Sequence, residues 1–213
     1  MKRTFLLFLL IVAQLHAVAL LDMGPQLVVG KNDAEWLPLF KELGAKRAVV
    51  SEFTEQRWFP FKKIPVELKG VMRLSPNLGM SLGYTEPEKR VIIVDTKGLL
   101  LREANGRQRE IPADPNSPAA SAALLPILNF DWQKLDQTFL VYAARNGNDW
   151  RLDFVPRDPQ LASTFGRITA LGDDSTMRQL EFRRSAMQRV EIFIGETRLG
   201  VEFSPDEKKQ FFR

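Results

Sequence analysis

Between Val66 and Leu74 the side chains alternate. Val66, Leu68, Gly70, Met72 and Leu74 are apolar or small, and Glu67, Lys69, Val71 and Arg73 stand between them. In an extended strand successive side chains point to opposite faces, so this spacing puts one apolar row on one face of a sheet. A second row follows the turn Ser75-Pro76-Asn77-Leu78-Gly79: Met80, Leu82 and Tyr84, with Ser81 and Gly83 opposite. Such a sheet needs something apolar against that face, either the protein's own core or a ligand.

The flanking segments continue the pattern. Asn32 and Asp33 offer an N-cap, and Trp36, Leu37, Leu39, Phe40 and Leu43 recur at helical spacing before Gly44 stops the helix. Pro38 must then sit in its first turns. Val49 to Phe59 reads as a strand whose faces the pattern leaves ambiguous. Arg90 to Asp95 is a short apolar strand, and Asn105-Gly106 is a tight hairpin returning through Arg107 to Ile111. Pro112 to Pro118 reads as loop. Ala119 to Leu128 is an alanine- and leucine-rich helix interrupted by Pro126, which predicts a kink or two pieces. Asp131 caps a second short helix carrying Trp132 and Leu135.

The last third is antiparallel again. Thr138 to Ala144 and Trp150 to Pro156 flank the loop Asn146 to Asp149, with Trp150, Leu152 and Phe154 on one face. Further strands are expected at Phe165–Ala170, Met177–Phe182, Arg189–Ile194 and Arg198–Phe203. The sum is about ten strands with few helices: an antiparallel sheet curled toward a barrel, with helices on or inside its open side.

Lys2 and Arg3 precede an apolar run from Phe5 to Ala13, and Ala17-Val18-Ala19 supplies small residues where a signal peptidase would cut. This is the pattern of a secretory signal peptide, with a run too short to span a bilayer. The alternative, an uncleaved anchor, would need an extension that this run lacks. Residues 1–19 are therefore expected to be a signal peptide cleaved near Ala19, and 20–213 a single exported, periplasmic domain. About 190 residues are enough for an ordinary core.

The chain has no cysteine and one histidine, His16, inside the signal segment. That removes Ser-His-Asp and Cys-His nucleophile systems, histidine-ligated zinc and thiolate metal sites from residues 20–213. Carboxylate or lysine chemistry stays open. Among Glu52, Glu55, Glu67, Glu86 and Asp95 no spacing singles out a pair. The formal charge of +4 falls to +2 without Lys2 and Arg3, and both signs are spread along the chain, so nucleic acid is not an expected partner. No catalytic residue, metal or cofactor is assigned.

Several motifs, in order, resemble those of the periplasmic outer-membrane lipoprotein carriers, the LolA-like family. They are Phe53-Thr54-x-Gln56, Gly70, Pro76-x-Leu78, Tyr84-x-x-Pro87 and Asp95-x-x-Gly98. The alanine-rich helix, Trp150-x-Leu152-x-Phe154-x-Pro156 and the tail Phe203-Ser204-Pro205-Asp206-Glu207 through Phe211 follow. The resemblance implies an unclosed antiparallel half-barrel whose apolar concave face is lidded by helices. It implies a carrier that takes acylated lipoproteins from an inner-membrane transporter and passes them to an outer-membrane acceptor. The acceptor in that system is lipid-anchored through a cysteine, which this chain lacks. One departure is visible. The family places an arginine before the turn proline, where it hydrogen-bonds the lid; here that position is Ser75, and the nearest arginine is Arg73.

The expected cavity lining is Val66, Leu68, Met72, Leu74, Met80, Leu82, Tyr84, Trp150, Leu152 and Phe154. The expected lid is Trp36, Leu39, Phe40, Leu124, Leu125 and Leu128. Arg57, Lys62, Lys63, Lys69 and Arg73 read either as a solvated strand face or as a contact for acidic headgroups or a transporter, and Arg183-Arg184 invites the same choice. A monomeric, non-enzymatic lipoprotein carrier is the leading expectation. The alternatives are a carrier of another lipid or glycolipid, a periplasmic scaffold with a filled core, and a carboxylate-dependent hydrolase.

Overall fold

The computed structural model describes residues 22–44, 48–112 and 120–213. The expected signal peptide, and nearly all of the expected loop from Pro112 to Pro118, lie outside the described residues. In chain order the elements are α1 (Leu37–Leu43), β1 (Val49–Trp58), β2 (Val66–Ser75), β3 (Gly79–Glu86), β4 (Arg90–Asp95), β5 (Gly98–Glu103) and β6 (Gln108–Pro112). They continue with α2 (Ala120–Leu128), α3 (Trp132–Thr138), β7 (Phe139–Asn146), β8 (Asp149–Pro156), α4 (Pro159–Phe165), β9 (Arg167–Asp173), β10 (Thr176–Arg183), β11 (Arg189–Leu199) and α5 (Pro205–Phe211). No helix among the described residues is long and apolar enough to cross a membrane.

All eleven strands form one antiparallel sheet in the order β6-β5-β4-β3-β2-β1-β11-β10-β9-β8-β7. It consists of two meanders, β1–β6 and β7–β11, joined where the first strand pairs with the last, Phe53 opposite Ile194 and Trp58 opposite Arg189. Among the described residues β6 and β7 do not pair with each other, and the outer edge of β7 takes only an isolated bridge from Gln26 to Tyr142, so the sheet is an open half-barrel. The chain passes between those edges through α2 and α3, which places both helices on the concave side.

Three local expectations are corrected. Asn32 and Asp33 do not cap α1. Their side chains accept from Val28 N–H (2.8 Å) and Gly30 N–H (3.0 Å) in the preceding turn, and Trp36 holds the cap position. Pro38 is the reason: with no N–H to give and a ring that clashes with the fourth preceding carbonyl, it restricts the helix to starting at its own turn. The strand expected from Phe165 begins at Arg167, because Asp158 accepts from Gln160 N–H and Leu161 N–H and starts α4, which ends at Gly166 (φ 65°). The segments Arg189–Ile194 and Arg198–Phe203 are not two strands but β11 followed by the lead into α5. Gly44 and Asp131 act as expected, the latter accepting from Lys134 N–H at 3.3 Å.

The main core lies between the concave face and the helices. Two glycines admit large rings close to the sheet. A Cβ on Gly70 would lie 2.9 Å from the Phe53 ring, and one on Gly172 would lie 2.2 Å from Trp150. A second, smaller core sits on the convex face, where Val50 packs with Phe203 and Phe212 beside Val71 and Phe211. There α5 is capped by a reciprocal pair, Ser204 Oγ accepting from Glu207 N–H and Glu207 accepting from Ser204 N–H. Arg102 donates to the carbonyls of Lys209, Gln210 and Phe212, and Arg213 grips Asp95 at 2.8 Å.

Candidate functional site: an apolar cavity under the second helix

Beneath α2 the concave face is not filled. A cavity of about 480 Å³ is walled by Met72 of β2, Met80 and Leu82 of β3, Ile92 and Val94 of β4, Leu180 and Phe182 of β10, and Val190 and Ile192 of β11. Leu124 and Leu128 of α2 and Phe165 of α4 close it from the other side. A second lobe of about 370 Å³ extends toward α1, where Leu43, Leu74, Pro76 and Phe130 border it. Met72, Leu128, Met177 and Ile194 border both lobes and form their common partition. Each volume falls in the roughly 300–1,000 Å³ range of small-molecule sites.

The expected lining residues divide into two groups. Met72, Leu74, Met80 and Leu82 face the cavity. Leu68 and Tyr84 are buried on the same face but belong to the packed core around Phe53, and Val66 packs at its margin. Trp150, Leu152 and Phe154 are fully buried. Trp150 meets Phe130 edge-on at 6.3 Å, and Phe154 meets Phe139 at 5.8 Å. Of the expected lid, Leu124 and Leu128 cover the cavity and Leu125 is half-buried beside them. Trp36, Leu39 and Phe40 are buried, with Phe40 stacked on Trp132 at 5.2 Å, so α1 is anchored against α3 and contributes Glu42, Leu43 and Gly44 to the cavity. The wall from β10 and β11 was not singled out in the sequence, although Val190-x-Ile192-x-Ile194 alternates as clearly as the Val66–Leu74 row.

The polar groups of this wall, Arg57, Thr164, Arg184, Gln188 and Arg189 among them, include one carboxylate. Glu55 is buried on the concave side of β1, accepts a hydrogen bond from the Tyr84 hydroxyl and pairs with Arg57. Burial, then the Glu55 charge and hydrogen bond, push the Tyr84 hydroxyl well above its ordinary value, so the phenol keeps its proton. Burial alone would lower the Arg57 guanidinium, but its bond to Glu55 outweighs that and holds it above its ordinary value. The carboxylate is thus engaged from two sides. Glu42 and Glu196, which border the smaller lobe, are exposed. Among the described residues no three or more of His, Cys, Asp and Glu come together as a metal site would require.

Neither family models nor curated proteins match this chain. Solved structures to which it is similar include an outer membrane lipoprotein-sorting protein domain from Vibrio parahaemolyticus, 9% identical with a TM-score of 0.44, covering 84% of this chain and 98% of that one. A LolA superfamily protein from Nitrosomonas europaea is 7% identical with a TM-score of 0.43, covering 81% and 96%. A chain of the Pseudomonas aeruginosa MucA/MucB complex is 12% identical with a TM-score of 0.43, covering 81% of this chain and 59% of that one.

The turn between β2 and β3 carries Ser75 before its proline. Ser75 is buried, and its carbonyl accepts from Leu78 N–H at 3.3 Å. Arg73 lies on the convex face with its guanidinium 3.6 Å from the centre of the Phe211 ring. Among the described residues neither forms a hydrogen bond or ion pair with α2 or α4. On the packed side Asp33 ties the N-terminal turn to α3, its carboxylate accepting from Trp132 Nε1–H at 2.8 Å.

Proposed function

We propose that this chain is a periplasmic carrier that takes the acyl chains of lipoproteins into the cavity under α2 and shuttles them from inner to outer membrane. The observation that carries the reading is the cavity: about 480 Å³ between two leucines of α2 and a largely apolar wall, with the wall's single carboxylate already paired. The motif resemblance and the signal-like first residues support it. Carriage breaks no bond, so it fits a chain with neither histidine nor cysteine beyond residue 16. Each buried methylene contributes about 0.8 kcal/mol, so a long acyl chain gains on the order of 10 kcal/mol on leaving water. A bilayer offers nearly the same gain, and the modest cost of lifting α2 then sets direction. An inner-membrane transporter and an outer-membrane acceptor are the partners this role requires, with the carrier acting as a monomer and without a cofactor.

A second reading, carriage of a free lipid or glycolipid in the same cavity, is favoured by Ser75 and by Arg73 turned onto Phe211, since the lid lacks the family's arginine contact. Native mass spectrometry of the protein purified from the periplasm without detergent, followed by lipid extraction, tests both. One acylated species per protein is expected, and its identity as lipopeptide or free lipid separates the two readings. An empty protein that also binds neither added acylated peptide nor phospholipid would sink them together, leaving the scaffold alternative.

A further inference from the structure

Because Trp58 pairs with Arg189, the turn after β1 (residues 59–65) and the turn before β11 (residues 184–188) lie side by side at one end of the sheet. Phe59, Arg184 and Gln188 line the larger lobe, so these turns form its rim. Their outer sides carry Phe61, Ile64 and Met187, which are 81%, 75% and 65% exposed, the most exposed large apolar side chains among the described residues. The Phe59 ring, which lines the cavity, stacks on Phe61 at 5.7 Å and 23°. An apolar path therefore runs from the cavity interior to the tip of the turn.

The charges around the tip complete the pattern. Lys62, Lys63 and Arg184 are exposed, and among the described residues none of the three forms an ion pair. The neighbouring acids already have cations: Glu67 and Glu86 lie 3.6 and 3.8 Å from Lys69, and Glu191 pairs with Arg189 at 3.1 Å. Apolar tips flanked by uncompensated cations suit a lipid interface, where rings and aliphatic chains enter the acyl boundary and ammonium and guanidinium groups meet phosphates. Continuity with an apolar cavity points to the bilayer rather than to a protein, because an acyl chain moving along Phe61 and Phe59 never has to enter water.

We infer that these two turns dock the cavity mouth on an anionic bilayer, with Phe61, Ile64 and Met187 inserted and Lys62, Lys63 and Arg184 on lipid phosphates. The inference rests on the carrier reading for its purpose, while docking itself is measured without cargo. The test is flotation of the full exported protein with vesicles of phosphatidylethanolamine and phosphatidylglycerol, against vesicles of phosphatidylcholine alone. Binding to the anionic vesicles is expected, weakening as salt rises. Phe61→Ser with Ile64→Ser should lower the partition at least about tenfold. Lys62→Glu with Lys63→Glu should abolish the preference for phosphatidylglycerol. Tryptophan placed by Phe61→Trp should shift its emission to the blue on vesicle addition, and Leu199→Trp, at the other end of β11, should not.

Equal partition of wild type and the serine variant overturns the proposal, as does a blue shift at both positions. A concentration-dependent dimer that the serine variant abolishes, without vesicle binding, assigns the patch to self-association and also overturns it. Native mass spectrometry of the same variants separates the two ideas. Lost docking with acyl occupancy intact confirms docking as a separate function, and intact docking without occupancy leaves the docking surface standing while the carrier reading fails.

Discussion

Single side chains carry opposite burdens on the two faces of the sheet. Ser81, on the convex side of β3, is fully buried, and its hydroxyl has no hydrogen-bond partner among the described residues. A buried unpaired hydroxyl costs about 1–3 kcal/mol, so Ser81→Ala should raise the unfolding free energy by about 1 kcal/mol in urea melts with an unchanged slope. Asp33 is the reverse case. Hydrogen bonds from Trp132 and then Gly30 hold its carboxyl below the ordinary aspartate range. A carboxyl lowered on folding contributes stability that is complete above its unfolded value and is lost as pH falls through the folded one. Thermal unfolding followed from pH 6 down to pH 2 should therefore show an acid decline below about pH 4, and Asp33→Asn should flatten that limb.

At the scale of elements, each helix is seven to nine residues long, too short to persist alone, so caps and docking hold it. Helix α5 depends on its reciprocal cap and on Arg102 at its far end. Ser204→Ala should cost about 1 kcal/mol and speed amide exchange in residues 205–211, with ligand occupancy unchanged because α5 lies across the sheet from the cavity. The convex strands show a related economy. Glu181 lies directly opposite Glu191, a repulsive pairing in a sheet. Arg183 and Arg189, each two residues along the same strand as its carboxylate, neutralise it at 2.5 and 3.1 Å. Asp153, wholly buried, is met by Arg151, Arg167 and Thr169.

Across the whole molecule the concave face has a packed half and a hollow half. The N-terminal segment and α3 fill the side of β7–β9, where Leu27 N–H reaches the Val141 carbonyl at 2.8 Å and Phe130 meets Trp150. Among the described residues, α2 and the ends of α1 and α4 border the side of β2–β4 and β10–β11. Stability and capacity should therefore separate by position. Leu152→Ala, in the packed half, should cost roughly 2–5 kcal/mol while acyl stoichiometry by native mass spectrometry stays at wild-type level in the folded protein. Met72→Trp, on the partition between the lobes, should lower the unfolding free energy by no more than about 3 kcal/mol and sharply reduce acyl occupancy.

Much of this was legible before any tertiary structure. The period-two rows of β2, β3 and β8 name the concave face, Gly44 and Asp131 mark helix ends, and the lack of histidine and cysteine after residue 16 narrows the chemistry. Those signals are local: they follow from where a side chain must point or which backbone group it can satisfy. Three matters are not local. The face of β1 that holds Glu55 was ambiguous, because Tyr84 and Arg57 meet that carboxylate only once β1, β2 and β3 lie side by side. The convex pocket of Val50, Phe203 and Phe212 exists only where α5 folds back across the sheet. Periodicity also placed Met72 and Trp150 equally inward. Alternation reports the face a side chain occupies, whereas what covers that face is decided by where α2 and α3 come to rest, and that is why one residue lines a cavity and the other is sealed in the core.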